Sequence, residues 1–267
     1  MSPDALQQAL TPDRWPALIM VTARVTGLML SAPLWSMTQM PTAVRAAITV
    51  VLSILLLPSV PPVALPAQPF DLPLPLALEG LIGVTTGLTA AVLVQGAALA
   101  GEMLGVQMGI SMGPAVFVMP DLPNSEFGSL FGLFATVLYL GVDGHLALVT
   151  GLADGLRALP PGGAMAIASG ATVSAGLLGT LFSTAASVAG PVLATLLLTH
   201  VAMALLNRAV PQLNALMTSF PITIGAGLLV MGIALPVMTG VLVDGFAQLP
   251  DAVDGIVGAW RLTAGGR

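Results

Sequence analysis

Long apolar runs alternate along this chain with short breaks built from proline, glycine and a few charges. Thr11 or Asp13 can cap a first helix, with Pro12 or Pro16 in its first turn. The run that follows, residues 15–35, is long enough to cross ~30 Å of hydrocarbon and contains Arg24. Residues 36–41 read as a turn, and a second run covers 42–57. Pro58, Pro61, Pro62, Pro66, Pro69, Pro73 and Pro75 then exclude a helix and predict an extended loop. A third helix starts near Leu76, carries Gly80, Gly83 and Gly87, and runs past Gly101. Asn124 or Ser125 can cap a fourth, with Glu126 near the positive end of its dipole. That helix covers about 127–142, a break follows over 141–145, and a fifth piece covers 146–159. The last third reads as two overlong helices, about 171–207 with Pro191 inside and about 215–249 with Pro221 and Pro236 inside. Six spans is the plain count, and the tail from Pro250 reads as short and mildly acidic.

Composition turns this pattern into a class. Hydrophobic residues make up 56% of the chain and charged residues 7%, against ~25% charged in soluble domains. Mean hydropathy is +0.99. An all-α, membrane-inserted protein follows, built from helical hairpins whose longest helices exceed one bilayer and must be tilted, kinked or partly outside it. Net charge is −5, with seven arginines and no lysine, so no nucleic-acid footprint exists. The absence of cysteine removes disulfides, thiolate metal sites and cysteine nucleophiles. Two histidines make no histidine-rich metal site, and no HExxH, GxSxG or Walker A pattern occurs. Catalytic residues, a metal and a cofactor are therefore not expected, and His145 and His200 read as structural. The first residues have no basic segment and no early apolar core, so a cleavable signal peptide is not expected.

Four features remain as candidates. The segment 207–221 places Arg208, Pro211, Gln212, Asn214, Phe220 and Pro221 between two greasy helices. Lipid offers such polar groups no partner, so they must meet protein or water. Arg24 is the costliest residue to place, at about 2.5–3.5 kcal/mol near a span centre. An isolated arginine favours pairing inside an assembly over an ion pathway, and Glu102 is its expected partner by depth. Gly101, Gly105, Gly109 and Gly113 recur every fourth residue. If helical they make one smooth packing stripe, and if not, a flexible loop. Met108, Met112, Val116, Phe117 and Met119 follow in a Met-Gly-Pro segment, which reads either as adaptable core filler or as a compliant apolar constriction that excludes water and ions.

Four blocks, in order along the chain, resemble the FliR/SctT family of flagellar and virulence type III secretion export-gate subunits. They are Ala23-Arg-Val-Thr-Gly with Ala32-Pro-Leu and Met40-Pro-Thr-Ala-Val-Arg45, the glycine-rich Ala100-Gly-Glu-Met-Leu-Gly-Val-Gln-Met-Gly-Ile-Ser, Gly144-His-Leu-Ala-Leu-Val with Arg157-Ala-Leu-Pro160, and Ala189-Gly-Pro-Val-Leu with Asn207-Arg-Ala-Val-Pro-Gln-Leu-Asn214 and Ser219-Phe-Pro-Ile. The last block is the most specific. The family commonly has a basic residue after the Phe-Pro pair, where this chain has Ile222, and a second polar residue after Gly-His, where it has Leu146.

The resemblance implies a non-enzymatic inner-membrane subunit within the secretion basal body. It would assemble with FliP/SctR-type and FliQ/SctS-type partners and the FlhB/SctU-type switch protein into a closed, helically arranged gate. Unfolded secreted proteins would pass through. Residues 1–165 would resemble the FliP/SctR-type partner and 166–267 the two-helix FliQ/SctS-type partner. A plug loop over about 106–124 would close the pore through Met108, Met112, Val116, Phe117 and Met119. Arg24, Gly101, Gly105, Gly109, Arg208, Pro211, Gln212, Asn214, Phe220 and Pro221 would serve assembly. With Arg267 ending the sequence, fusion to the switch protein is not expected. The alternative is a multi-pass small-solute permease, which needs a polar midplane cavity built from broken helices.

Overall fold

The computed structural model of the protein describes residues 11–36, 40–61, 63, 72–110, 126–162, 167–209 and 215–264. The described residues form the helices α1 (Trp15–Ser31), α2 (Thr42–Leu56), α3 (Pro73–Gln107), α4 (Glu126–Gly141), α5 (Gly144–Ala158), α6 (Ile167–Ala209), α7 (Ala215–Ala247) and α8 (Leu249–Ala264). Short 3₁₀ turns, Pro12–Arg14 and Leu57–Ser59, precede α1 and follow α2. No strand occurs among the described residues, as the hydropathy pattern predicts.

Helix ends follow local chemistry. Pro16 sits in the first turn of α1, where a missing N–H loses nothing. The helix stops at Ser31 because Ala32 precedes Pro33, and the proline ring pushes the residue before it out of the α region. Ala32 is accordingly extended, at φ −70° and ψ 140°. With 17 residues, α1 is shorter than the run 15–35 suggested and below the ~20 needed to span. Pro73 and Pro75 lie in the first turn of α3, so that helix starts ahead of the expected Leu76. Among the described residues, Asp143 has a positive φ, 55°, between α4 and α5, a conformation that aspartate tolerates better than most residues.

Segments long and apolar enough to cross a membrane are Thr42–Ser59, Pro73–Gln107, Ala175–Leu206 and Pro221–Ala247, with α4 and α5 a fifth if taken as one broken span. The count is thus four or five among the described residues rather than six. The lost span is α1, which is too short. At ~1.5 Å per residue the 35 residues of α3 cover about 52 Å, and the 43 of α6 about 65 Å. Both exceed ~30 Å of hydrocarbon, as expected.

The tail is a correction. Residues from Leu249 form a 16-residue helix, α8, with Pro250 and Asp251 in its first turn. Val253, Ile256, Val257 and Trp260 are buried on it at i, i+3, i+4 and i+7 spacing, the stripe of an amphipathic helix.

The chain forms two compact units. Unit 1 comprises Met1–Val92, Asp143–Leu178 and Ala247–Arg267, and unit 2 comprises Leu93–Val142 and Gly179–Phe246. The helices α3 and α6 each contribute one part to unit 1 and one to unit 2.

Candidate functional site

In unit 1 the sequence places one arginine on the buried face of α1, which also carries Ala17, Met20, Val21, Val25 and Leu28. Its partner is Glu79 of α3, not Glu102. Arg24 Nε donates to Glu79 Oε2 at 2.6 Å, with the two side chains 1% and 0% exposed. Arg24 Nη1 donates to the carbonyl of Leu159 at 3.1 Å and, more weakly, to that of Gly155 at 3.4 Å. Both carbonyls belong to the C-terminal end of α5, where the helix dipole is negative and a cation is favoured. The other carboxylate oxygen, Glu79 Oε1, accepts from the backbone N–H of Gly162 at 2.8 Å. Glycine is required at that position, because φ is +83°. One ion pair therefore ties α1 to α3, to the end of α5 and to the turn beyond it. Arg24 Nη2 is buried without a hydrogen-bond partner among the described residues.

Glycines bring the two helices close enough for this pair to form. A Cβ on Gly83 would overlap the carbonyl oxygen of Arg24 itself. One on Gly27 would overlap the carbonyl of Gly80, and one on Gly87 would overlap the hydroxyl of Ser31. These contacts run at i, i+3 and i+7 along α3, so backbone meets backbone along one seam. Glu79 lies one residue before Gly80, on the edge of that seam.

Two further contacts complete unit 1. Arg14 Nη1 donates to the carbonyls of Leu57 at 3.1 Å and Val60 at 2.9 Å, capping the end of α2. The helix α8 lies on α5, where Val253 and Val257 fill the space above Gly151 and Gly155. Its Trp260, 0% exposed, joins a core cluster with Leu78 and Ile82 of α3 and with Leu159.

Unit 2 uses the same device. A Cβ on Gly101 would overlap the carbonyl oxygen of Phe127, and one on Gly128 would come within 2.6 Å of Glu102 Cγ. Thus α3 and α4 touch backbone to backbone. A Cβ on Gly96 would meet α6, at 2.9 Å from Thr184 Cβ and 3.0 Å from the carbonyl oxygen of Leu181. Gly105 is buried on α3. The helical stripe ends there: Met108 N–H closes the last turn on Leu104 at 2.9 Å, and Gly109 takes φ +78° as a left-handed terminator. The expected four-glycine stripe is therefore helical only through Gly105, and Gly113 lies outside the described residues. Met108 is fully buried, with its thioether against Gly227 of α7, which Leu196 of α6 also approaches. Tyr139 and Phe246 pack ring to ring at 5.5 Å. A groove of about 630 Å³ runs between α3 and α6 and holds Glu102 among apolar side chains.

The remaining predicted residues divide in two. Arg208 is exposed in the last turn of α6, a favourable place for a cation, and Pro221 is exposed within α7. Met112, Val116, Phe117, Met119, Pro211, Gln212 and Asn214 lie outside the described residues, as does the side chain of Phe220. Among the described residues no group of three or more His, Cys, Asp or Glu could hold a metal ion. Sequence reasoning missed Glu79. Its signal was a carboxylate beside the Gly80, Gly83 and Gly87 stripe, with no other charge between Asp71 and Glu102.

Overlong apolar helices, glycine seams and a buried ion pair describe a membrane component built for packing. The profile of the family described as bacterial export proteins, family 1, matches residues 15–249. The flagellar biosynthetic protein FliR of Escherichia coli (strain K12) is 31% identical over 226 residues, 84% of each chain. The FliR of Pectobacterium carotovorum subsp. carotovorum is 30% identical over 217 residues, 80% of this chain and 82% of the relative. The secretion system apparatus protein SsaT of Salmonella typhimurium is 28% identical over 159 residues, 59% of this chain and 61% of the relative. The chain belongs to the bacterial export protein family 1, the FliR/SctT family. It is an inner-membrane subunit of a flagellar or type III export apparatus, works in a complex with other secretion components, and is not an enzyme. The permease reading is not favoured.

Proposed function

We propose that the chain assembles with FliP/SctR-type and FliQ/SctS-type subunits, and with an FlhB/SctU-type switch protein, into a gate that unfolded secreted proteins cross. The observation that carries this reading is the apolar outer surface of α6 and α7, whose Leu198 and Ile233 are 70% and 71% exposed. Those helices outrun a bilayer, so part of that surface lies beyond the hydrocarbon and calls for apolar protein neighbours. Residues 1–165 take the place of one further FliP/SctR-type subunit and 166–267 that of a FliQ/SctS-type hairpin. Arg24, Gly101, Gly105 and Gly109 serve assembly by fixing the shape each unit presents, and Arg208, Pro211, Gln212, Asn214, Phe220 and Pro221 meet neighbouring subunits at the hairpin bend.

Closure rests on Met112, Val116, Phe117 and Met119, held at one end by Met108. The buried Met108 anchors the segment, and the residues after it supply apolar bulk that excludes ions yet yields to a polypeptide. Replacing Met112, Phe117 and Met119 by glycine in the assembled apparatus is expected to raise ion conductance of the membrane above the wild-type background. Background conductance in a fully assembled triple variant would remove the plug assignment.

A further inference from the structure

Gly155 of α5 makes two contacts of different kinds. Its carbonyl accepts from Arg24 Nη1 at 3.4 Å, and a Cβ placed on it would come within 3.1 Å of Val257 of α8. Leu159, whose carbonyl accepts from the same Nη1 at 3.1 Å, shares a core cluster with Ile256, Val257 and Trp260 of α8 and with Leu78 and Ile82 of α3. The two carbonyls that hold Arg24 thus belong to residues that α8 packs against. Glu79 follows Leu78 directly, so the acid of the buried pair also borders that cluster.

Alone, α8 is a weak helix. Its 16 residues are close to the ~12–15 below which isolated helices are marginal. Two of them are glycines, Gly255 and Gly258, and a Cβ at either position would meet nothing within 4 Å. No close approach requires glycine there, so both lower helix propensity with no gain in packing. The helix therefore depends on its seat on α5 and α3, and its folding and docking are one event. The seat and its cover are far apart in sequence: α3 and α5 precede the α6–α7 hairpin, and α8 follows it. It begins at the last residue matched by the family profile. A chain made only as far as α7 has the seat and lacks the cover.

We propose that α8 is a clasp on unit 1, which cannot seat until the α6–α7 hairpin has been made, and whose seating fixes the end of α5 on Arg24 and so completes the buried Arg24–Glu79 pair. The clasp makes completion of unit 1 conditional on synthesis of the chain through α8. It is independent of what the assembled apparatus carries, so its failure would leave the export-gate reading standing.

Hydrogen exchange of the full-length chain in detergent micelles, read by mass spectrometry, tests this. Gly255→Ala with Gly258→Ala strengthens α8 without adding a contact. The pair is expected to slow exchange about tenfold, both in α8 and in the peptides that contain Arg24 and Glu79. An α8 that only fills space would gain protection by itself. Val257→Glu sets a charge against Gly155 and is expected to speed exchange at Arg24, Glu79 and the end of α5 by about tenfold or more, with unit 2 unchanged. The chain has no cysteine, so Gly151→Cys with Val253→Cys gives a reversible lock. Their Cβ atoms would lie 3.3 Å apart, close to the ~3.5–4.5 Å of a disulfide. Oxidation is expected to slow exchange in the peptides of Arg24 and Glu79, and reduction to restore it. If Val257→Glu disorders unit 2 as well, the alanine pair and the disulfide still decide. The proposal is overturned if the alanine pair or the closed disulfide leaves Arg24 and Glu79 exchanging at the wild-type rate, or if Val257→Glu frees α8 while those peptides stay protected.

Discussion

The change Glu79→Ala takes one carboxylate out of unit 1 and leaves two donors behind. Arg24 loses the acceptor of its Nε at 2.6 Å, and Gly162 loses the acceptor of its N–H at 2.8 Å. Arg24 is 1% exposed and cannot reach water without opening the α1–α3 seam. Removing one partner of a buried pair costs about 3–5 kcal/mol, because the other charge stays buried and unpaired. That is about a 10²–10⁴-fold shift in the folding equilibrium. The remaining bonds from Nη1 to Leu159 and Gly155 place the expected value at the lower end of this range. The assay is denaturant unfolding of the full-length chain in detergent micelles. Intrinsic fluorescence reports on unit 1, since all three tryptophans, Trp15, Trp35 and Trp260, belong to it. Arg24→Met combined with Glu79→Met is the decisive companion: it removes both charges and should destabilise less than Glu79→Ala alone. Glu126→Ala, at an exposed helix start, should fall within about 0.5–1 kcal/mol. The reasoning is refuted if Glu79→Ala costs less than about 1 kcal/mol, or if the double variant costs as much as the two single changes added together.

Other outcomes follow from the same contacts. Gly83→Val drives a side chain into the carbonyl of Arg24 and should destabilise unit 1 by about 1–3 kcal/mol or more, read by the same titration. Trp260→Ala empties the largest fully buried side chain and should cost about 3–5 kcal/mol. A value near zero would mean that α8 is not docked on α5. Gly105→Leu places a large side chain at a buried position of α3 and should abolish co-purification with partner subunits, whereas normal recovery would refute its packing role.

Much of this fold is legible in the sequence because lipid allows few solutions. Apolar runs of bilayer length must be helices, so α2, α3, α6 and α7 stand where hydropathy places them. Three features escaped. The end of α1 at Ser31 was set by Pro33, a local clash hidden inside an apolar run. The helix α8 carried its i, i+3, i+4, i+7 stripe at Val253, Ile256, Val257 and Trp260, but its acids and proline made it resemble a tail. The Arg24–Glu79 pair depended on which helices touch. Charge and depth alone favoured Glu102, whereas the glycines of α3 decide the matter by letting α1 approach at Gly80, Gly83 and Gly87. The family's identity was carried by four blocks of residues rather than by any reactive group, since packing proteins are conspicuous by where small and polar residues interrupt greasy helices.

The most direct measurement is affinity purification of the tagged chain from membranes of its own bacterium, with mass spectrometry of what accompanies it, beside a secretion assay in a strain lacking it. The account predicts FliP/SctR-type and FliQ/SctS-type subunits in the purified complex, and loss of protein export that the wild-type chain restores. A chain that purifies without any secretion component, from cells whose export is intact in its absence, would contradict it.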